Sequence, residues 1–410
     1  MSRLESRARL GLVAWAMVVT MARAVRYPNE FAEAHWLLDY RFGFIKRGLA
    51  GSIYSLLAWA GVIPRSATAI AILSFTVFGA LVAVLLAASR RILDADTDRA
   101  LSFSATAVFA TSPFIVMAAH FMGYLDHLIV LATFTAAWLA VRGRFWPAAV
   151  LAAAGVLVHE SFLLVGLPLV LVAAGLAPAE PAMPGSAPPG PLPRSRQYLP
   201  FVLPLVAAVA LFVSEAMILG AAVLRQQLAA RLTAFPFVAG DMNLFVPEWL
   251  TAGTWANVRE QAHAFWRHVG DSNLLRLMVP PALFLVVFSW ATAPPEARAR
   301  RAYMGILVVA LPLLLHAAAW DTARIWTYTI LVAFGFAWLH AGQPVAVPSR
   351  VNRLLLAAAA VVLLAGIFGR SPLMDRQEER FSAAMRLFLY APSLAGTALV
   401  LIDGWRERRR

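Results

Sequence analysis

The feature that most limits what this chain can become is its succession of long apolar runs, each near the length a helix needs to cross a bilayer. A hydrocarbon core about 30 Å thick takes about 20 apolar residues at 1.5 Å of rise each. Such runs fall near 10–26, 68–89, 100–119, 126–141, 146–159, 161–176, 198–220, 274–293, 303–320, 325–341, 353–369 and 387–403. Charged residues make up 14% of the chain, where a soluble domain carries about 25%. The sequence therefore predicts an all-α polytopic transmembrane helical bundle of about 11–13 spans. Residues 1–410 form one integral membrane domain in this reading. With no cysteine in the chain, disulfides, thiolate metal sites and cysteine nucleophiles are excluded.

The net charge of +13 rests almost wholly on arginine, since Lys46 is the only lysine. The arginines sit between apolar runs, so membrane orientation explains them better than nucleic acid, and no nucleic-acid partner is expected. With the N-terminus inside and 27–67 as one external loop, Arg90, Arg91, Arg99, Arg142, Arg144, Arg298, Arg300, Arg301 and the C-terminal arginines all fall inside. The expected place is a bacterial inner membrane with both termini cytoplasmic. Ala22-Arg23-Ala24 fits a signal-peptide cleavage site, but retention of the first run as a helix is expected. Leu49–Val62 is apolar and is assigned to the external face, because a crossing there would reverse the arginine bias.

Two further segments are not spans. Residues 177–197, rich in proline, glycine and serine, read as a flexible cytoplasmic linker. Residues 221–273 form a long external loop. There Leu224, Leu228 and Leu232 recur at helical spacing, predicting an amphipathic helix. Trp249, Trp255, Phe265 and Trp266 suit a membrane interface.

Charged groups within a membrane protein are costly and mark function. In this topology they collect at the external ends of the helices. Asp39, Arg41, Lys46 and Arg47 lie in the stretch 39–51. Asp39 can act as a general base or hold a cation. Lys46 and Arg47 can grip a phosphate, and Gly43, Gly48 and Gly51 let backbone approach a ligand. His120, Asp126 and His127 lie between the third and fourth runs, with Asp126 placed to begin a helix. His159 and Glu160 lie at the break between the fifth and sixth. They lack the second histidine of a zinc protease motif, since position 163 is Leu163. Asp321 and Arg324, three apart, read as a local pair.

A long first external loop with an acidic residue, many helices and a second large external loop resembles the GT-C superfamily of polytopic glycosyltransferases. The resemblance lies in this layout and in the position of Asp39. The loop has no adjacent acidic pair, so Glu33 and Glu30 compete with Asp39 for the family's acid. The resemblance implies transfer of a sugar from a polyprenyl-linked donor to a lipid or glycan acceptor at the non-cytoplasmic face. It implies a catalytic role for Asp39, to which Glu160 and Asp321 are added as candidates. Lys46, Arg47, Asp126, His127, His159 and Arg324 are then candidate substrate contacts. No cofactor is called for, although Glu160, Asp126 and Asp321 are groups that can bind a divalent cation. Other readings stay open: a transporter or flippase for a lipid-linked substrate, a non-catalytic assembly partner, or an intramembrane metal-dependent hydrolase built from His120, Asp126, His127, His159 and His316.

Overall fold

A computed structural model describes residues 3–95, 99–177, 194–217, 220–238, 240–319, 321–341, 346–371 and 379–407. The core of the expected proline-rich linker lies outside them. The described residues are helical and contain no strand. In chain order the helices begin with α1 (Arg3–Ala22), α2 (Glu30–Leu37), α3 (Gly48–Trp59), α4 (Ala67–Asp94), α5 (Arg99–Ala110), α6 (Pro113–His120) and α7 (Asp126–Val141). Next come α8 (Phe145–Val158), α9 (Phe162–Val165), α10 (Leu167–Gly175), α11 (Val202–Met217), α12 (Ala221–Thr233), α13 (Met242–Thr251) and α14 (Thr254–Gln261). The last are α15 (Phe265–Val269), α16 (Ser272–Ala291), α17 (Arg298–Ala310), α18 (Thr322–His340), α19 (Ser349–Phe368) and α20 (Ala383–Glu407).

Each predicted run coincides with a helix or a pair of consecutive ones. Seven stretches among the described residues are long and apolar enough to cross a membrane: Ala67–Asp94, Arg99–His120, Arg196–Ser214, Ser272–Ala291, Pro295–Ala317, Thr322–His340 and Ser349–Phe368. The chain is an integral membrane protein of the all-α class. Three of the expected runs fall outside this set because their helices are short. α7 has 16 residues and α8 has 14, below the length of about 20 for an upright span. At 12 residues, α3 rises about 18 Å, which is too little to cross the hydrocarbon.

By its internal contacts the chain divides into two compact units, one formed by 1–26, 82–121 and 263–410 and the other by 27–81 and 122–262. In the first unit α5 and α18 are buried along nearly their whole length. Phe109 stacks on Phe334 at 3.6 Å between ring centres. Lipid is as apolar as leucine, so close packing of small residues takes over from the hydrophobic effect in joining helices. A Cβ added at Gly366 on α19 would stand 3.1 Å from the Thr111 carbonyl oxygen that follows α5. The helix ends sort into two sets. Arg9 donates to the Arg99 carbonyl and Arg91 lies over Trp338 at one end. Arg26 donates to the His120 carbonyl and Arg324 lies over Phe121 at the other.

In the second unit α7, α8, α10 and α11 pack together. α8 presents buried Ala148, Ala149, Ala152, Ala153 and Gly155. α2 and α3 pack on one another where the chain turns through 38–47. A Cβ at Gly51 would stand only 1.9 Å from the Leu38 carbonyl oxygen, with backbone on both sides of the contact. Gly48 is likewise covered by the Tyr40 ring. These two glycines let the 39–51 stretch close on itself, where the sequence reading gives them to a ligand. Gly43 is the one whose backbone geometry, φ +108°, calls for glycine. Gly51→Ala is expected to destabilise the protein by about 1–3 kcal/mol. Unfolding in detergent measures this, and an unchanged midpoint would refute the contact.

Candidate functional site

In unit two α2 meets the turn before α7, and the 38–47 turn meets the break after α8. The break is local in origin. His159 adopts an extended conformation, φ −163° and ψ 126°, and ends α8. The chain resumes at Ser161, whose hydroxyl lies 2.9 Å from His159 Nδ1. Glu160 is thereby held at a corner, with its side chain 27% exposed.

Arg47 reaches this corner from the opposite side. Its Nη2 donates to Glu160 Oε1 at 2.8 Å and its Nε to Oε2 at 3.3 Å. Among the described residues Arg47 alone, apart from glycines, has positive φ, at 59°. A left-handed conformation costs a non-glycine residue roughly 1–2 kcal/mol, and such residues concentrate at functional sites. The guanidinium stacks on Trp249 of α13, 4.0 Å from the ring centre. It also faces the His35 ring, with Nη1 3.5 Å from Nε2. Burial and the neighbouring Arg47 push His35 down to about 3, so its ring is neutral. Lys46 donates to the Ala252 carbonyl at 2.8 Å, which ties the first loop to the long loop after α11. Burial, only partly opposed by Glu160, brings the Lys46 ammonium down to about 8. Burial would raise the Glu160 carboxyl, but Arg47, His159 and Lys46 hold it well below the usual range.

Asp39 sits in a second cluster of the same unit. Oδ1 accepts from Arg41 N at 3.0 Å and Nε at 2.8 Å, and Oδ2 accepts from Arg41 Nη2 and Ser55 Oγ, both at 2.6 Å. Burial alone would raise this carboxyl, yet the bonds from Arg41 and Ser55 bring it below its ordinary value. Asp39 caps the turn Tyr40–Phe42 and is 1% exposed. Its oxygens are bonded as those of Glu160 are, but Asp39 is shut away from solvent where Glu160 keeps an exposed edge. The Tyr40 hydroxyl, 3.5 Å from the Leu157 carbonyl, seats this turn on the end of α8. Glu33, on α2, is a further acid here. Burial and Glu30 raise it to about 7, a value suited to proton transfer.

Of the other predicted residues, Asp126 begins α7, as read from the sequence, and is buried. His127 packs 5.2 Å from Phe78 between ring centres. The turn before them is fixed by Trp36 Nε1, which donates to the Gly123 carbonyl at 2.8 Å. Asp321 and Arg324 form the expected local pair at 2.8 Å and belong to the first unit, as do His120 and His316. Among the described residues no three histidines, aspartates or glutamates are grouped to hold a metal ion.

One buried ionic cluster escaped the sequence reading. Glu379 receives Arg23 Nη2 at 2.7 Å on both carboxylate oxygens, Arg386 Nη1 at 3.1 Å and the Ser371 amide at 2.8 Å. Arg23 and Arg386 are each 1% exposed. The sequence showed Arg23 only as the middle of a cleavage-like tripeptide.

The chain matches no family model, no curated protein and no solved structure.

Proposed function

We propose that this protein is a glycosyltransferase of the GT-C type, moving a sugar from a polyprenyl-linked donor to a lipid or glycan acceptor at the non-cytoplasmic face. The observation that carries the reading is the exposed edge of Glu160 held by both arms of a conformationally constrained Arg47, with Lys46 beside them. Glycosyl transfer needs a carboxylate to take the acceptor hydroxyl proton and fixed positive charge to receive the departing phosphate. The acceptor oxygen forms a bond to the anomeric carbon, the bond from that carbon to the phosphate oxygen breaks, and the electron pair leaves with the phosphate. The proton passes to Glu160. A phosphate that engages Arg47 and Lys46 weakens their hold on Glu160 and raises its proton affinity at the moment a base is needed. In this reading Asp39 shapes the loop and Glu33 is the reserve acid.

The test is a panel of polyprenyl-phosphate sugars supplied to membranes containing the chain. Release of polyprenyl phosphate that depends on the chain is expected, and its absence with every donor would overturn the reading. A pH signature accompanies it. Lys46 carries its charge below about 8, so kcat/KM for the donor should fall as pH rises through that value. Lys46→Arg, which stays charged, should lose the fall, and an identical profile in the two proteins would remove Lys46 from the phosphate contacts.

A further inference from the structure

Unit two holds a third basic group that glycosyl transfer does not use. Arg231 lies on α12, which packs against the Tyr40–Phe42 turn. Its guanidinium carbon stands 4.6 Å from the centre of the Phe235 ring. Its Nε and Nη2 are buried without a hydrogen-bond partner. The groups acting on it electrostatically include two more arginines, Arg41 and Arg65. Arg65 is placed by its neighbour, since the Tyr54 hydroxyl donates to the Pro64 carbonyl at 3.0 Å. Tyr54 in turn senses both Arg65 and Arg231. Asp39, the carboxylate beside them, already has both oxygens on Arg41 and Ser55.

Three guanidiniums within electrostatic reach of one another share a single carboxylate, already bonded to Arg41, which leaves an excess of about two positive charges; the cost falls on Arg231, whose buried Nε and Nη2 have no partner. A chain tolerates that arrangement where an anion completes it. The planar fork of arginine matches the oxygens of a phosphate group in particular. Entry is open, because the Arg41 side chain is 54% exposed and Arg65 is exposed. α12 also carries an exposed Val223, as expected of an amphipathic helix at a lipid surface.

We infer that Arg41, Arg65 and Arg231 form a binding site for a phosphate-type oxyanion, separate from Lys46, Arg47 and Glu160. The phosphate comes either from a soluble phosphate compound or from an anionic lipid headgroup. The site is independent of the transfer reading, and neither stands or falls with the other.

Unfolding of the full chain, followed by tryptophan fluorescence, tests this in two arms. One adds sodium pyrophosphate to protein in neutral detergent, against sodium chloride of equal ionic strength. The other compares phosphatidylcholine nanodiscs with and without phosphatidylglycerol. A rise in midpoint with pyrophosphate assigns a soluble phosphate; a rise only with phosphatidylglycerol assigns a headgroup. In the arm that responds, Arg65→Ala should weaken the apparent affinity about tenfold or more, as loss of a charge-assisted bond predicts. Arg231→Gln should lose the response and, without the probe, melt no lower than the parent. No response in either arm, or an Arg65→Ala response equal to the parent's, would overturn the site. So would an Arg231→Gln protein that folds but melts well below the parent, since that would mean the guanidinium is already satisfied. Arg65 is exposed, so its variant keeps the test valid if Arg231→Gln does not fold.

Discussion

Glu160→Gln is expected to lower sugar transfer by about 10²–10⁴-fold, the usual contribution of a positioned general base. The exchange removes the proton acceptor but keeps one carbonyl oxygen to accept from Arg47, so the loss should appear in kcat more than in the donor KM. It costs some stability as well, because Arg47 is 5% exposed and loses its counter-charge. Yield in the membrane fraction and the circular dichroism of the variant purified in detergent separate that cost from catalysis. Asp39→Asn gives the contrast. Asp39 is saturated by Arg41 and Ser55, so its loss should loosen the loop, lowering the unfolding midpoint together with activity. If Asp39→Asn abolishes transfer at full stability while Glu160→Gln stays active, the proton goes to Asp39 and not to Glu160.

Glu379→Ala should have the largest effect on stability, a loss of about 3–5 kcal/mol, because it strands two arginines in a buried place. Arg23 and Arg386 reach the same carboxylate from the end of α1 and the start of α20. They also donate to carbonyls at the end of α19: Arg23 Nη1 to Gly366 at 3.1 Å, and Arg386 to Gly369. One side chain therefore ties three helices. Glu379→Gln, which keeps hydrogen-bonding capacity, should lose less, about 1–3 kcal/mol. Equilibrium unfolding in mixed micelles measures both. An alanine variant within about 0.5 kcal/mol of the parent, the range of an ordinary surface exchange, would show that the triad does not hold these helices.

What the sequence disclosed follows the range of the signal. Apolar runs report on local environment, so the helices could be read directly, as could the start of α7 at Asp126 and the Asp321–Arg324 pair three residues apart. The pairing of Arg47 with Glu160, 113 residues away, and of Arg23 with Glu379, 356 away, depends on how helices pack, and periodicity holds no record of that. The same holds for Arg65 and Arg231, which read in sequence as an ordinary loop charge and the polar face of an amphipathic helix. Glu33 was named only as a rival to Asp39, because burial, which moves its proton affinity, is a tertiary property. Gly51 shows the converse: its residue type signalled a close approach correctly, but the approaching atom is the chain's own Leu38 carbonyl.

The Lys46 ammonium already has a partner in the Ala252 carbonyl. An ammonium has three N–H donors, so a phosphate can join it while the bond to Ala252 persists, and arrival of the donor would pin the end of α13 more firmly. Amide deuterium uptake near Ala252 would then slow when the donor is present, giving a readout of occupancy that requires no turnover.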